Sequence, residues 1–312
     1  MKNLKPVLLF IIPLLVLAFV SEKDHEKELK KAYKTLEKQF SNFVFIPGTS
    51  YGYPNDSLSI NAFYMSKYEV TNLDWRFFVS DVKEKVKGDS FKRLLPDTGL
   101  WVSNNYGYNE PMRSYYYSHP SYSNYPVVNI SLAQAKTYCK WFQEKLLKTD
   151  IGNFKSVLVR IPTEVEWEYA AKGGYDYSKY PWGGPYIRNA KGSYLANFRV
   201  IPQDEARKIN GKIVLKMDLK NSEGAMMTGP VNMYFANDFG LYQMAGNVAE
   251  FVIPSNHRNE LDKVLETHGI TRGGSFFDPP HYMKCSVRDF YQKDSSANFM
   301  RGFRPIISIV AN

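Results

Sequence analysis

Cysteine is nearly missing from this 312-residue chain, with only Cys139 and Cys285 present, far apart in the sequence. That excludes a disulfide-stapled scaffold and the closely spaced cysteine pairs of a zinc ribbon. Histidine is scarce as well. His25, His119, His257 and His268 are scattered, so they offer no ready-made metal centre. No internal repeat or linker divides residues 43–310, which favours one domain over an array. No aromatic-basic motif accompanies the net charge of +9, so nucleic acid is not an expected partner. The basic runs Lys23–Lys38 and Lys83–Arg93 read as solvated faces, or as docking patches for an acidic partner or anionic lipid.

Long apolar runs are also lacking, with one exception. Met1-Lys2-Asn3-Leu4-Lys5 is followed by an uncharged run from Pro6 to Val20, the layout of an export signal. The run falls short of the roughly 20 residues that span a bilayer, and Pro13 interrupts it. Residues 1–21 are therefore expected to be a signal peptide. Phe19 is a poor residue three before a cut after Ser21, so a short uncleaved anchor, holding residues 6–20 at a membrane, stays open. No cysteine lies there to carry a lipid. The expected location is the periplasm or cell envelope.

What the chain has in quantity is aromatic side chains, led by 23 Tyr and 20 Phe. Such usage suits strands and half-wet loops better than a helical bundle, and implies a β-rich or irregular α+β fold. Residues 22–41 read as a charged amphipathic helix, with Leu29, Tyr33, Leu36 and Phe40 on one stripe. Residues 42–312 read as the domain proper. Strands are expected at Phe43–Ile46 and across Ile60–Met65. Thr71, Ser131 and Thr163 read as helix caps, and Glu166 completes a capping box with Thr163. The Tyr-rich stretch Gly88–Pro126 and the stretch Tyr175–Met227 carry no regular period, and loops of that length in a compact domain usually bind something.

Several motifs recur in a telling order. They run from Phe45-Ile46-Pro47-Gly48 and Tyr68-Glu69-Val70-Thr71-Asn72 through Pro126-Val127-Val128-Asn129 to Arg160-Ile161-Pro162-Thr163-Glu164-Val165-Glu166-Trp167-Glu168. Gly240-Leu241-Tyr242-Gln243-Met244-Ala245-Gly246-Asn247-Val248-Ala249-Glu250, Arg272-Gly273-Gly274-Ser275 and Gly302-Phe303-Arg304 follow. The series resembles the formylglycine-generating enzyme (sulfatase-modifying factor) family along nearly all of residues 43–309. That resemblance implies an irregular α+β fold related to C-type lectin-like domains. A narrower likeness lies in the insert, at Leu95-Pro96-Asp97-Thr98-Gly99-Leu100-Trp101 and Tyr108-Asn109-Glu110-Pro111-Met112. It is similar to the gliding-motility and type IX secretion lipoproteins K and J of Bacteroidetes, which use this fold in the envelope.

In the family's oxidases, two cysteines after the Arg-Gly-Gly-Ser motif bind copper. Here Asp278 stands where the first would be and no second follows; Cys285 matches a structural cysteine further along. Copper is not expected, because soft thiolates cannot be replaced by oxygen ligands. The partners implied for Cys285 and Cys139 would fall at Ala171 and Pro305, so both thiols are expected to be buried and free. Ala249 replaces a tryptophan that helps wall the oxygen pocket. The groove candidates are Arg272, Ser275, Asp278 and His281, with structural duty favoured for the motif itself.

The resemblance also implies calcium. One site would use Asn197, the Phe198 carbonyl, Glu223 and the Ala225 carbonyl. The other would use Gln243, the Gly246 and Val248 carbonyls, and Glu250. Such oxygen sets suit a hard ion that staples loops. No catalytic residue is assigned. The expected function is a non-catalytic scaffold or binding component with an envelope protein partner, in gliding or type IX secretion. Two alternatives stay open: a formylglycine-generating or other non-haem metal oxidase with altered ligands, and a lectin-like ligand-binding module.

Overall fold

The computed structural model describes residues 41–53, 56–103, 110–148, 157–200, 206–209, 212–215, 227–255, 268–293 and 296–309. The signal and helix expected over residues 1–21 and 22–40 lie outside them, as do Glu223 and Ala225 of the first calcium set.

In chain order the strands are β1 (Phe43–Ile46), β2 (Thr49–Tyr53), β3 (Asp56–Ile60), β4 (Phe63–Ser66), β5 (Val157–Arg160), β6 (Ala206–Ile209), β7 (Lys212–Leu215), β8 (Ala249–Val252), β9 (His268–Arg272), β10 (Asp289–Gln292), β11 (Arg301–Gly302) and β12 (Ile306–Ile309). The longer helices are α1 (Asn72–Val82), α2 (Leu132–Leu146) and α3 (Glu164–Ala171). One antiparallel sheet has the order β1-β4-β12-β5, a second the order β10-β9-β8-β11, and β2–β3 and β6–β7 are hairpins. This is the mixed α+β architecture that the aromatic-rich composition implied.

The first sheet is covered on both faces, and its strand sequences say why. Tyr64 and Ile307 enter one core cluster, while Phe63, Met65 and Ile306 enter another. Successive side chains on a strand point to opposite faces. Two buried faces therefore turn β4 and the start of β12 into continuous apolar runs. The first cluster holds α1 and α2 to the sheet through aromatic packing. Trp75 stacks on Tyr138 at 5.6 Å between ring centroids, and Phe303 meets both edge-on at 6.1 and 5.5 Å. Fully burying one such ring is worth about 1.5–3 kcal/mol.

All three helices begin on full capping boxes. Thr71 pairs with Asp74, Ser131 with Gln134 and Thr163 with Glu166. Each cap satisfies an amide that the first helical turn would otherwise leave open. The expected strand across Ile60–Met65 is in fact two. Asn61 and Ala62 separate β3 from β4, and Gly48 lies against them: a Cβ there would come within 3.0 Å of the Ile60 and Ala62 backbones. The insert expected to be irregular folds as short helical turns at Asp89–Lys92, Leu100–Ser103 and Glu110–Tyr115.

Candidate functional site

The two arginines of the terminal motifs anchor the frame. Arg304 is fully buried. Its Nε donates to both oxygens of Glu250 at 2.9 and 2.8 Å, and its Nη2 to Glu250 Oε1 at 2.6 Å. The same guanidinium reaches the carbonyls of Ser66, Lys67 and Tyr242. Trp167 adds an indole N–H to Glu250 Oε2 at 2.7 Å. Arg272, 1% exposed, donates through Nη2 to Glu164 at 2.5 Å and Glu168 at 3.1 Å, and through Nη1 to the Cys285 carbonyl. Arg288 also pairs with Glu164, and Lys172 with Glu168 at 3.0 Å. Both arginines thus neutralise buried carboxylates on other elements, and each is a brace between elements rather than a group facing substrate.

Asn247 is a hub that the sequence alone did not single out. Its backbone is left-handed, with φ of 65°, and its amide nitrogen donates to Glu69 at 3.1 and 3.0 Å and to the Gly229 carbonyl. Its side-chain oxygen accepts from the Gly229 amide at 2.7 Å and from Asn197 at 3.3 Å. The available signal was the preceding glycine: a Cβ on Gly246 would lie 2.1 Å from the Asn197 carbonyl oxygen, so only glycine lets these backbones meet. Glu69 is buried beside this hub. Desolvation, and after it the neighbouring Glu250, hold its carboxyl well above the usual range.

Of the groove candidates, the structure brings Ser275 and Asp278 together. Asp278 Oδ2 accepts from the Ser275 amide at 2.8 Å and from its hydroxyl at 2.6 Å, while Ser275 Oγ accepts from the Phe277 amide. The side chain that the resemblance sets in the thiolate position, Asp278, closes a turn. Arg272 faces α3 instead, and His281 is exposed, next to Lys284 and Tyr282. Among the described residues, no group of three or more His, Cys, Asp or Glu side chains is placed to hold a metal.

Both cysteines are free and buried. Burial pushes each thiol up to about 12. Both thiols are therefore protonated at neutral pH, which disfavours a nucleophilic role. Cys285 and Ala171 share one core cluster, so the position implied for a disulfide partner is filled by a methyl group within the same core. Ala249 is buried at the start of β8.

The Tyr-rich insert packs onto this same region. Trp101 and Tyr116 share a cluster with Phe276, Phe299 and Val248, with Trp101 4.9 Å from Tyr116 and 5.2 Å from Phe299 between ring centroids. Aromatic rings from the insert thus contact the segment leading to Asp278 and the neighbour of Ala249.

For the implied calcium, the unpaired acceptors are informative. Asn197 Oδ1 and Gln243 Oε1 are buried and have no hydrogen-bond donor. Leaving such an oxygen unsatisfied costs about 1–3 kcal/mol, and a hard cation would remove that cost. Asn197 and Gln243 therefore fit the ion. Glu250 accepts four hydrogen bonds from Arg304 and Trp167, so its lone pairs are committed to them.

Comparison with known proteins matches this geometry. Residues 30–309 match the sulfatase-modifying factor enzyme 1-like domain. Mouse formylglycine-generating enzyme is 26% identical, the match covering 80% of this chain and 67% of that protein. The bovine inactive C-alpha-formylglycine-generating enzyme 2 is 24% identical, over 85% of this chain and 88% of that one. The solved structure of CarF superposes with a TM-score of 0.55 at 17% identity, covering 86% of this chain and 98% of that chain, a likeness of fold. A matched span this long, carrying the Arg272 and Arg304 frame, means that the chain belongs to the sulfatase-modifying factor enzyme 1-like family.

Proposed function

We propose that the chain is a non-catalytic member of its family: an exported envelope protein that works by binding a protein partner, in a gliding or type IX secretion apparatus. The observation that carries the non-catalytic part is the turn at Ser275–Asp278. A carboxylate spent on a serine amide and hydroxyl stands where the family resemblance puts a copper thiolate, and Cys285 is sealed in the core. Packing of the insert against Phe276 and Val248 supports the same reading, as does similarity to a relative named inactive. The envelope assignment rests on the amino-terminal layout and on the insert motif, whose Trp101 is built into the domain.

Calcium belongs to the reading as a structural ion. Asn197 would contribute to one such site and Gln243 to the other, and an ion bound at either would tie loops together without taking part in chemistry.

The deciding experiment is oxygen uptake by the copper-supplemented protein with a cysteine-containing sulfatase peptide, alongside a copper titration. No uptake and no stoichiometric copper are expected. Uptake above background, or one tightly bound copper, would overturn the non-catalytic reading in favour of an oxidase with altered ligands. Fractionation of the native host, with the protein co-purifying with outer-membrane components, tests the envelope part.

A further inference from the structure

A groove of about 410 Å³ runs between α2 and β5. Among the described residues, β5 is an outermost strand of its sheet, paired with β12 on one side only. Outer edges of this kind invite another strand. Here the Val159 amide donates instead to the side-chain oxygen of Gln143 on α2, at 3.0 Å, so a flexible side chain occupies the place of a partner carbonyl. Just beyond β5, the same stretch of chain already accepts foreign backbone. Ile253 makes a parallel bridge with Thr163, donating to the Pro162 carbonyl at 2.9 Å and accepting from the Glu164 amide at 2.8 Å.

The lining sets the chemistry of an occupant. Leu158 is 41% exposed along the edge, and Ile161 and Ile253 continue an apolar floor. Lys136 and Lys140, one turn apart on α2, are exposed on the rim, and among the described residues no Asp or Glu lines the groove. Arg160 is spent on Glu166 through two hydrogen bonds of 2.7 Å. An extended segment alternating apolar and acidic residues would place one set on the floor and the other against the lysines, as the two-residue period of a strand requires.

We propose that this groove receives an extended acidic-apolar segment of a partner protein as an added strand on β5. The proposal rests on the partner-binding reading given above and names its docking surface.

Fluorescence anisotropy with the full chain tests it, using a labelled heptapeptide of alternating Glu and Val. The controls are the same peptide with Lys for Glu and a version N-methylated at alternate amides. Saturable binding is expected for the Glu peptide. It should weaken at least tenfold with either control peptide and with the doubly reversed variant K136E/K140E. Both lysines are exposed, so the variant should keep the wild-type melting temperature; L158E provides a second block from the floor side.

No binding of the Glu peptide up to millimolar concentration would overturn the proposal. So would equal binding of the N-methylated peptide, which would point to a helical occupant, or self-association of the chain abolished by K136E/K140E, which would make the occupant a second copy. None of these outcomes touches oxygen uptake, so failure of the groove and failure of the non-catalytic reading are separable.

Discussion

Replacing Arg272 by Met tests the claim that the Arg-Gly-Gly-Ser motif is a brace. The guanidinium is buried and donates to Glu164, Glu168 and the Cys285 carbonyl. Met fills much of its volume, so the loss is electrostatic. Removing one partner of a buried ion pair costs about 3–5 kcal/mol, because the other charge is stranded. Here Glu164 keeps Arg288 and Glu168 keeps Lys172, which places the expected loss near the lower end, about 3 kcal/mol. For a domain of this size that is about 6–12 °C in melting temperature. Urea unfolding should show a lower midpoint with an unchanged slope. The double variant Arg272→Met with Glu164→Gln should lose less than the sum of the two single variants, because both changes remove the same ion pair. A loss under about 1 kcal/mol, or losses that simply add in the double variant, would show that the motif is not holding α3 to β9.

Other expectations follow from the same contacts. Both thiols should resist Ellman's reagent in the native protein at pH 8 and react, two per chain, after denaturation without reductant; early reaction of Cys285 would contradict its burial. Burial alone would raise Glu166, but the paired Arg160 and the Thr163 cap outweigh it and hold the carboxyl below its usual value. Its contribution is therefore present above the unfolded value of about 4.3 and lost as pH falls through the lower folded one. Glu166→Gln should accordingly be less stable than wild type at pH 7, with the gap closing below pH 4, as followed by urea midpoints. A chelator should lower the melting temperature of wild type, and Gln243→Ala and Asn197→Ala should each reduce that sensitivity; an unchanged melting curve would argue against a bound ion.

Much of the fold was legible because its signals are local. Thr163 with Glu166 and the apolar run at Phe43 each act within a few residues. Two further capping boxes, at Thr71–Asp74 and Ser131–Gln134, carry the same local pattern. The break between β3 and β4 was not legible, because the packing of Asn61 and Ala62 against Gly48, in the link between β1 and β2, shows only in the fold. The Asn247 hub was hidden for a similar reason. It joins Glu69, Asn197 and Gly229, which lie far apart in the chain, and only Gly246 hinted at the close approach. The family resemblance set Asp278 at the position of a thiolate, whereas its use as a turn cap on Ser275 needed coordinates.

The terminal motifs divide into residues that report fold and residues that report chemistry. Arg272 and Arg304 each bind carboxylates and carbonyls from several elements, so the fold depends on them whether or not any reaction occurs. Their presence therefore says little about activity. The positions that the family resemblance assigns to chemistry hold Asp278 and Ala249 here. Asp278 caps Ser275, Ala249 is buried, and Trp101 and Tyr116 of the insert share a cluster with the adjoining Phe276 and Val248. Restoring chemistry would thus need more than Asp278→Cys. That change would remove the cap on Ser275 and place one thiol, without a second, beside Phe276 and the packed insert. It should lower stability and leave copper unbound, as a thermal melt and a copper titration on the same variant would register.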